Sequence, residues 1–155
     1  MTALAENVDL KAKEGVYQHF KVQNGVKIYK GAPVTVDTDG YAQSNDGTTT
    51  TLANGDIFAG MAVELADNTD GSDADIDVRC LRKGIIEIAV LGTVTQAKVG
   101  DKVYLNNVSD DAAFTLTSDS GNPQITVGEL VGYISSGVGL VDITGYVGNV
   151  AANGA

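Results

Sequence analysis

A short phrase in which a turn leads directly into a strand recurs along the chain, and it constrains the fold more than any other feature. The phrase is found at residues 29–34, 98–104 and 126–133. Each copy places a glycine, which adopts positive φ without a Cβ clash, beside residues suited to a pleated sheet. The copies have no reactive side chain in common. The repeat therefore predicts a β scaffold that presents surfaces.

Length and composition predict one domain with appendages. A chain of 155 residues can build one hydrophobic core, and its 19 glycines against 2 prolines predict many turns. We expect an N-terminal arm over residues 1–14, a β domain over residues 15–144 and a Gly/Ala-rich C-terminal tail over residues 145–155. Short runs of alternating hydrophobicity predict an all-β fold, a compact sandwich or partly open barrel of short antiparallel strands.

Three strand pairings are predicted from turn signals. Asn24-Gly25 follows an alternating run that begins at Val16, and a return strand that begins at Val26 predicts a hairpin there. Residues 76–80 and 86–90 alternate around Lys83-Gly84, which predicts a second hairpin at the centre of the core. Residues 125–134 are expected to pair with residues 139–143.

The charge of the chain excludes several partners. A net charge of −10 opposes binding to phosphate backbones, so a nucleic-acid partner is not expected. An acidic surface would instead suit docking onto a basic surface of another protein. The chain has neither the start of a signal peptide nor an apolar run long enough to cross a bilayer. We expect synthesis in a cytoplasm and no membrane partner.

The reactive residue types do not form a catalytic pattern. His19, the single histidine, lies in a predicted strand without an identifiable nucleophile or orienting group. Cys80, the single cysteine, lies on the apolar face of its strand and is expected to be a core residue. The sequence has no Gly-Lys dipeptide, so a P-loop is excluded. No enzymatic activity, catalytic residue or cofactor is expected.

The acidic run over residues 67–73 invites a calcium interpretation, which its spacing does not support. If Gly71 takes the sixth place of an EF-hand loop, the first place falls on Ala66 and the last on Asp77, where a bidentate glutamate is needed. We expect a solvated surface loop and no resident metal. A nonspecific or interfacial cation is the remaining alternative.

Several segments, in this order, resemble a family of tailed-phage structural proteins. The segments are residues 57–64, 78–84, 99–104 and 127–132, and the resemblance extends over residues 16–143. Members of the family are small β-rich capsid decoration (cement) proteins. Some carry the label of putative RecA/RadA-type recombinases, which the missing P-loop contradicts here. The resemblance implies a protein on the outer surface of a phage head, bound between major capsid subunits and stabilising the shell.

The same resemblance implies a homo-oligomer, a trimer in preference to a dimer. Residues expected to contact the capsid or a neighbouring subunit are Leu4, Val8, Leu10, Arg79, Arg82, Lys83, Tyr146 and Val147. One alternative role is a base on which head fibres stand. Another class, a carbohydrate-binding or small hydrolytic β module, is disfavoured because the chain lacks tryptophan and its tyrosines are scattered.

Overall fold

The computed structural model describes residues 6–44, 56–105, 114–116 and 125–144. These residues form eleven strands and one 3-10 turn at Gln96–Lys98, with no α-helix among them. The strands are β1 Lys11–Lys21, β2 Lys27–Ile28, β3 Pro33–Val36, β4 Ala42–Ser44, β5 Ile57–Ala62, β6 Ala66–Asp67, β7 Asp77–Leu91, β8 Lys102–Leu105, β9 Phe114–Thr115, β10 Thr126–Ser135 and β11 Val138–Thr144. The all-β prediction is confirmed.

Five strands close into a barrel. In order around the wall these are β7, β9, β8, β10 and β11, and β11 returns to pair with β7. The β10–β11 hairpin is the predicted pairing near the C-terminal end of the domain, and it is confirmed. The barrel is closed. The sequence predicts antiparallel strands, whereas the β7–β9 contact at Val90↔Phe114 is parallel. Closure removes the exposed edges that a partly open barrel would present.

The first half of β7 belongs to a second group of strands. There β1 pairs with one edge of β7, while β5 pairs with the other and continues into β3 and β4. A parallel bridge between Val22 and Ala42 brings β4 back to the end of β1. Strand β7 is therefore shared by the two parts of the fold.

Each part encloses its own hydrophobic core. The barrel core includes Leu81 and Ile86 from β7, and the other core includes Val78 and Cys80 from the same strand. Phe58 crosses from β5 into the barrel core, where its ring meets that of Phe114 edge-on at 6.2 Å between centroids. Neighbouring residues of one strand thus anchor both cores, which couples the two parts mechanically.

The predicted hairpin around Lys83-Gly84 is wrong, because β7 runs through this point as one strand of 15 residues. Gly84 has a φ of +155° and stays in the ladder, opposite Gly15 on β1 and Ile143 on β11. The β1–β7 register shifts between Val16 and Tyr17, which leaves Arg82 as an extra residue on β7. Such a bulge bends a strand without ending it.

The predicted hairpin at Asn24-Gly25 is also wrong, although the turn itself forms with Gly25 at a φ of +72°. Strand β1 pairs with β7, and β2 pairs with β6. The Gly25 N–H donates to the Asn68 carbonyl at 2.9 Å, and the Asn68 N–H donates to the Val26 carbonyl at 2.9 Å. The turn is thus held by the loop after β6 instead of closing a hairpin.

The described part of the predicted arm lies against the domain. The Val8 N–H donates to the Lys30 carbonyl at 2.9 Å, and the Lys30 ammonium lies 2.6 Å from the Asp9 carboxylate. The hydrogen bond from the Lys30 ammonium lowers the pKa of the Asp9 carboxyl. Strand β1 begins at Lys11, so the boundary expected after residue 14 falls inside a strand of the domain.

Candidate interaction surface

Strand β1 presents an exposed stretch at the border of the sheet. Val16 and Tyr17 have exposed fractions of 58% and 45%, and Gln18 and His19 are exposed as well. Residues on both faces of the strand therefore reach solvent, because successive side chains point to opposite sides. His19 lies in a strand, as predicted, and its side chain is exposed.

One side of the β1 backbone points away from β7, which follows from the hydrogen bonds of its neighbour. The Arg79 N–H donates to the Glu64 carboxylate, and the Arg79 carbonyl accepts from the Val63 N–H, both at 3.0 Å. Both backbone groups of Arg79 therefore point away from β1. Its partner in the register is His19, so this is a non-hydrogen-bonded pair. The N–H and carbonyl of His19 consequently point away from β7.

The alternation of the antiparallel ladder extends this result to Tyr17. The Val22 N–H donates to the Ile76 carbonyl at 3.0 Å, so residues 18, 20 and 22 direct their backbone groups toward β7. Tyr17, like His19, lies in the alternate set and directs its N–H and carbonyl outward. Among the described residues, no backbone group pairs with the outward groups of Tyr17 and His19. Beyond the end of β1, strand β4 occupies this side, because the Gln23 N–H donates to the Ala42 carbonyl at 3.0 Å. We call the outward backbone groups of Tyr17 and His19 the β1 edge.

An aromatic residue and a cation lie together beside the β1 edge. The Arg79 guanidinium carbon lies 4.3 Å from the centroid of the Tyr17 ring, and both side chains are exposed. Tyrosine and arginine are enriched at the energetic centres of protein interfaces. The sequence analysis names Arg79 among the expected contact residues and does not name Tyr17. The signal that could have found it is the alternation that places Tyr17 and His19 on one face.

Strands β1 and β7 are basic in a chain that is acidic overall. They contain six of the ten lysines and arginines against three acidic residues, whereas the chain has a net charge of −10. The basic residues are Lys11, Lys13, Lys21, Arg79, Arg82 and Lys83, and the acidic residues are Glu14, Asp77 and Glu87. Lys21 and Asp77 form an ion pair at 2.8 Å.

The three basic residues of β7 that are expected as contacts have different surroundings. Arg82 is half-buried, and its Nη1 donates to the carbonyls of Phe58 and Ala59 at 3.1 and 3.3 Å. Its guanidinium carbon also lies 5.7 Å from the centroid of the Phe20 ring. Arg82 therefore holds β5 against β7, while Arg79 and Lys83 are exposed.

The acidic loop is organised around a buried amide. Asn68 is only 3% exposed, and its side-chain amide donates to the carbonyls of Gln23 and Ser72, both at 2.9 Å. Asp67 accepts the Thr69 hydroxyl at 2.5 Å, and this bond lowers the pKa of Asp67. Thr69, Asp70, Ser72 and Asp73 are exposed, as a solvated loop predicts, but Asn68 is a structural residue. In the described ranges, no three metal-ligating side chains converge.

Cys80 is a core residue, as predicted. The side chain is fully buried, and burial raises the pKa of its thiol to about 12. Because thiolates are the reactive species, we expect the native protein to resist alkylation by iodoacetamide at pH 8. A labelling experiment should give fast modification only in denaturing urea. Equally fast modification of the native protein would contradict this burial.

The remaining predicted contact residues divide into two groups. Val8 is 44% exposed beside Lys30, and Leu10 is half-buried against the barrel core. Leu4, Tyr146 and Val147, like the tail over residues 145–155, lie outside the described residues.

Comparisons with known proteins add no assignment. No protein-family model matches the sequence. A search of curated proteins finds no match either. Over the described part of the chain, no helix has the length and apolar character needed to cross a membrane.

Proposed function

We propose that this protein is a structural component of a virion, which binds the outer surface of a tailed-phage head between major capsid subunits and stabilises the shell. The observation that carries the proposal is the Tyr17–Arg79 pair on an exposed strand of an all-β scaffold. Rigid aromatic and arginine side chains supply most of the binding energy in protein interfaces. The family resemblance of the sequence supplies the class of partner, the major capsid protein.

The architecture suits a bracing role. Strand β7 runs through both cores, so a force on β1 is transmitted to the barrel through a packed β scaffold. Many copies arranged by the symmetry of a head would convert weak contacts into strong overall attachment. A homo-oligomer, a trimer in preference to a dimer, would multiply the contacts further. A base for head fibres would use the same attachment and differ only in what stands on it.

The test is binding of purified protein to heads of the encoding phage from which this protein has been removed. The double variant Tyr17→Ala/Arg79→Ala should bind these heads at least tenfold more weakly, about 1.4 kcal/mol, because it removes both anchors of the surface. Lys98→Ala is the matched control, since Lys98 is an exposed cation in the 3-10 turn outside β1 and β7. Cosedimentation with heads measures the affinity.

A second measurement addresses stabilisation. Heads without the protein should rupture at a lower temperature than complete heads, and adding back the wild type should restore the difference. If the double variant and the wild type coat heads equally well, the assignment of this surface is wrong. If the wild type never binds heads, the proposed function fails.

A further inference from the structure

We propose that the β1 edge accepts an acidic, extended segment of another protein as an additional strand. This inference rests on the proposed function, for which it supplies the mode of binding and the chemistry of the partner segment. The juxtaposition that supports it is a backbone edge without a partner among the described residues, the exposed Tyr17–Arg79 pair beside it, and the exposed Lys83 cation on the same strand as Arg79.

The backbone geometry favours strand addition. Tyr17 and His19 are two residues apart on one strand, so their outward N–H and carbonyl groups repeat with the spacing of an antiparallel ladder. An incoming strand can therefore form four main-chain hydrogen bonds in regular register. Natural proteins usually protect such an edge with proline, a covering loop or an inward-pointing charge. Between Val16 and His19 the sequence has no proline and all four side chains are exposed.

The charge distribution identifies the occupant. Arg79 and Lys83 are exposed cations on β7, and β1 has no acidic residue between Val16 and Lys21, so an incoming strand with alternating acidic residues would lie near favourable partners. A second copy of this chain that added through its own β1 would bring its own Arg79 and Lys83 cations to the same sheet and would offer no acidic residue between Val16 and Lys21. The edge therefore favours an acidic segment of a different protein, and recognition by strand addition is an established mode of peptide binding.

The test uses a random library of 12-residue peptides in mRNA display, selected against the immobilised full-length protein. We expect the selected peptides to be rich in aspartate and glutamate at alternate positions. His19→Pro should weaken their binding at least tenfold, because proline removes the outward N–H at that position. The β1–β7 hydrogen bonds are retained, since the His19 N–H does not take part in them. His19→Ala is the matched control, which removes the side chain, keeps the N–H and should bind normally.

A second measurement does not depend on how the variant folds. The best selected peptide is synthesised in two forms, each with N-methyl groups on one alternate set of its backbone nitrogens. Only one form should lose binding, because one set faces β1 and the other faces solvent. The inference is overturned if no peptide is enriched, if the enriched peptides lack acidic residues or if both forms bind equally. It is also overturned if size-exclusion chromatography detects a dimer that His19→Pro dissociates, since a second copy would then occupy the edge.

The two proposals fail in different ways. If peptides bind as expected but the wild type does not coat heads, the β1 edge is an acceptor and the virion role is wrong. If His19→Pro coats heads as tightly as the wild type, the virion role stands and strand addition at this edge is not its mechanism.

Discussion

Replacing Gly60 with alanine is expected to lower the free energy of unfolding by about 3 kcal/mol or more, a large part of the stability of a small domain. Gly60 lies in β5 with a φ of +127°, a conformation that residues with a side chain rarely adopt. A Cβ at this position would also collide with the Leu81 carbonyl oxygen on β7. The change would therefore separate the strands that hold the two cores together.

Urea denaturation followed by circular dichroism measures this effect. Gly25→Ala is the matched control, because Gly25 also has positive φ, at +72°, but a Cβ there meets nothing within 4 Å. It should cost about 1 kcal/mol, the strain of a left-handed backbone alone. Equal stability losses for the two variants would mean that the close approach of β5 to β7 is not what requires glycine at position 60.

Replacing Arg82 with methionine is expected to lower the free energy of unfolding by about 2 kcal/mol. The change retains an apolar chain but removes the charged donor that satisfies the Phe58 and Ala59 carbonyls, and unpaired buried acceptors are costly. The adjacent variant Lys83→Met removes an exposed cation and should change stability by no more than about 0.5 kcal/mol.

The pair also separates structure from binding. If the Arg82 side chain contacted a neighbouring protein instead of the Phe58 and Ala59 carbonyls, Arg82→Met would leave the urea midpoint unchanged and weaken attachment to heads. A reduced midpoint with normal attachment of the remaining folded protein is the result that the described contacts predict.

Local signals predicted the local parts of the fold. Residues 125–134 and 139–143 pair because a short turn containing Gly137, with a φ of +84°, brings adjacent runs together. The two wrong hairpins have a common cause. Alternation indicates which face of a strand is buried but not which strand lies beside it, and β1 pairs with β7 across more than fifty residues. Only the shared burial of both cores selects that pairing.

The candidate surface was predictable to a similar extent. Of the three internal residues expected as contacts, Arg79 and Lys83 are exposed. Charge and alternation could not separate these residues from Arg82, because its inward direction follows from a bulge in β7 and two carbonyls of β5. Alternation alone places Tyr17 and His19 on one face, but the stacking of Tyr17 on Arg79 could not be predicted, since the sequence places them on strands that are far apart along the chain.

The most direct test of the central claim is an electron cryomicroscopy map of heads from the phage that we propose encodes this protein, with and without the protein. We predict added density on the outer surface at the contacts between major capsid subunits, with β1 facing the shell. Density that fits this fold inside the head, or an unchanged outer surface when the protein is present, would contradict the account.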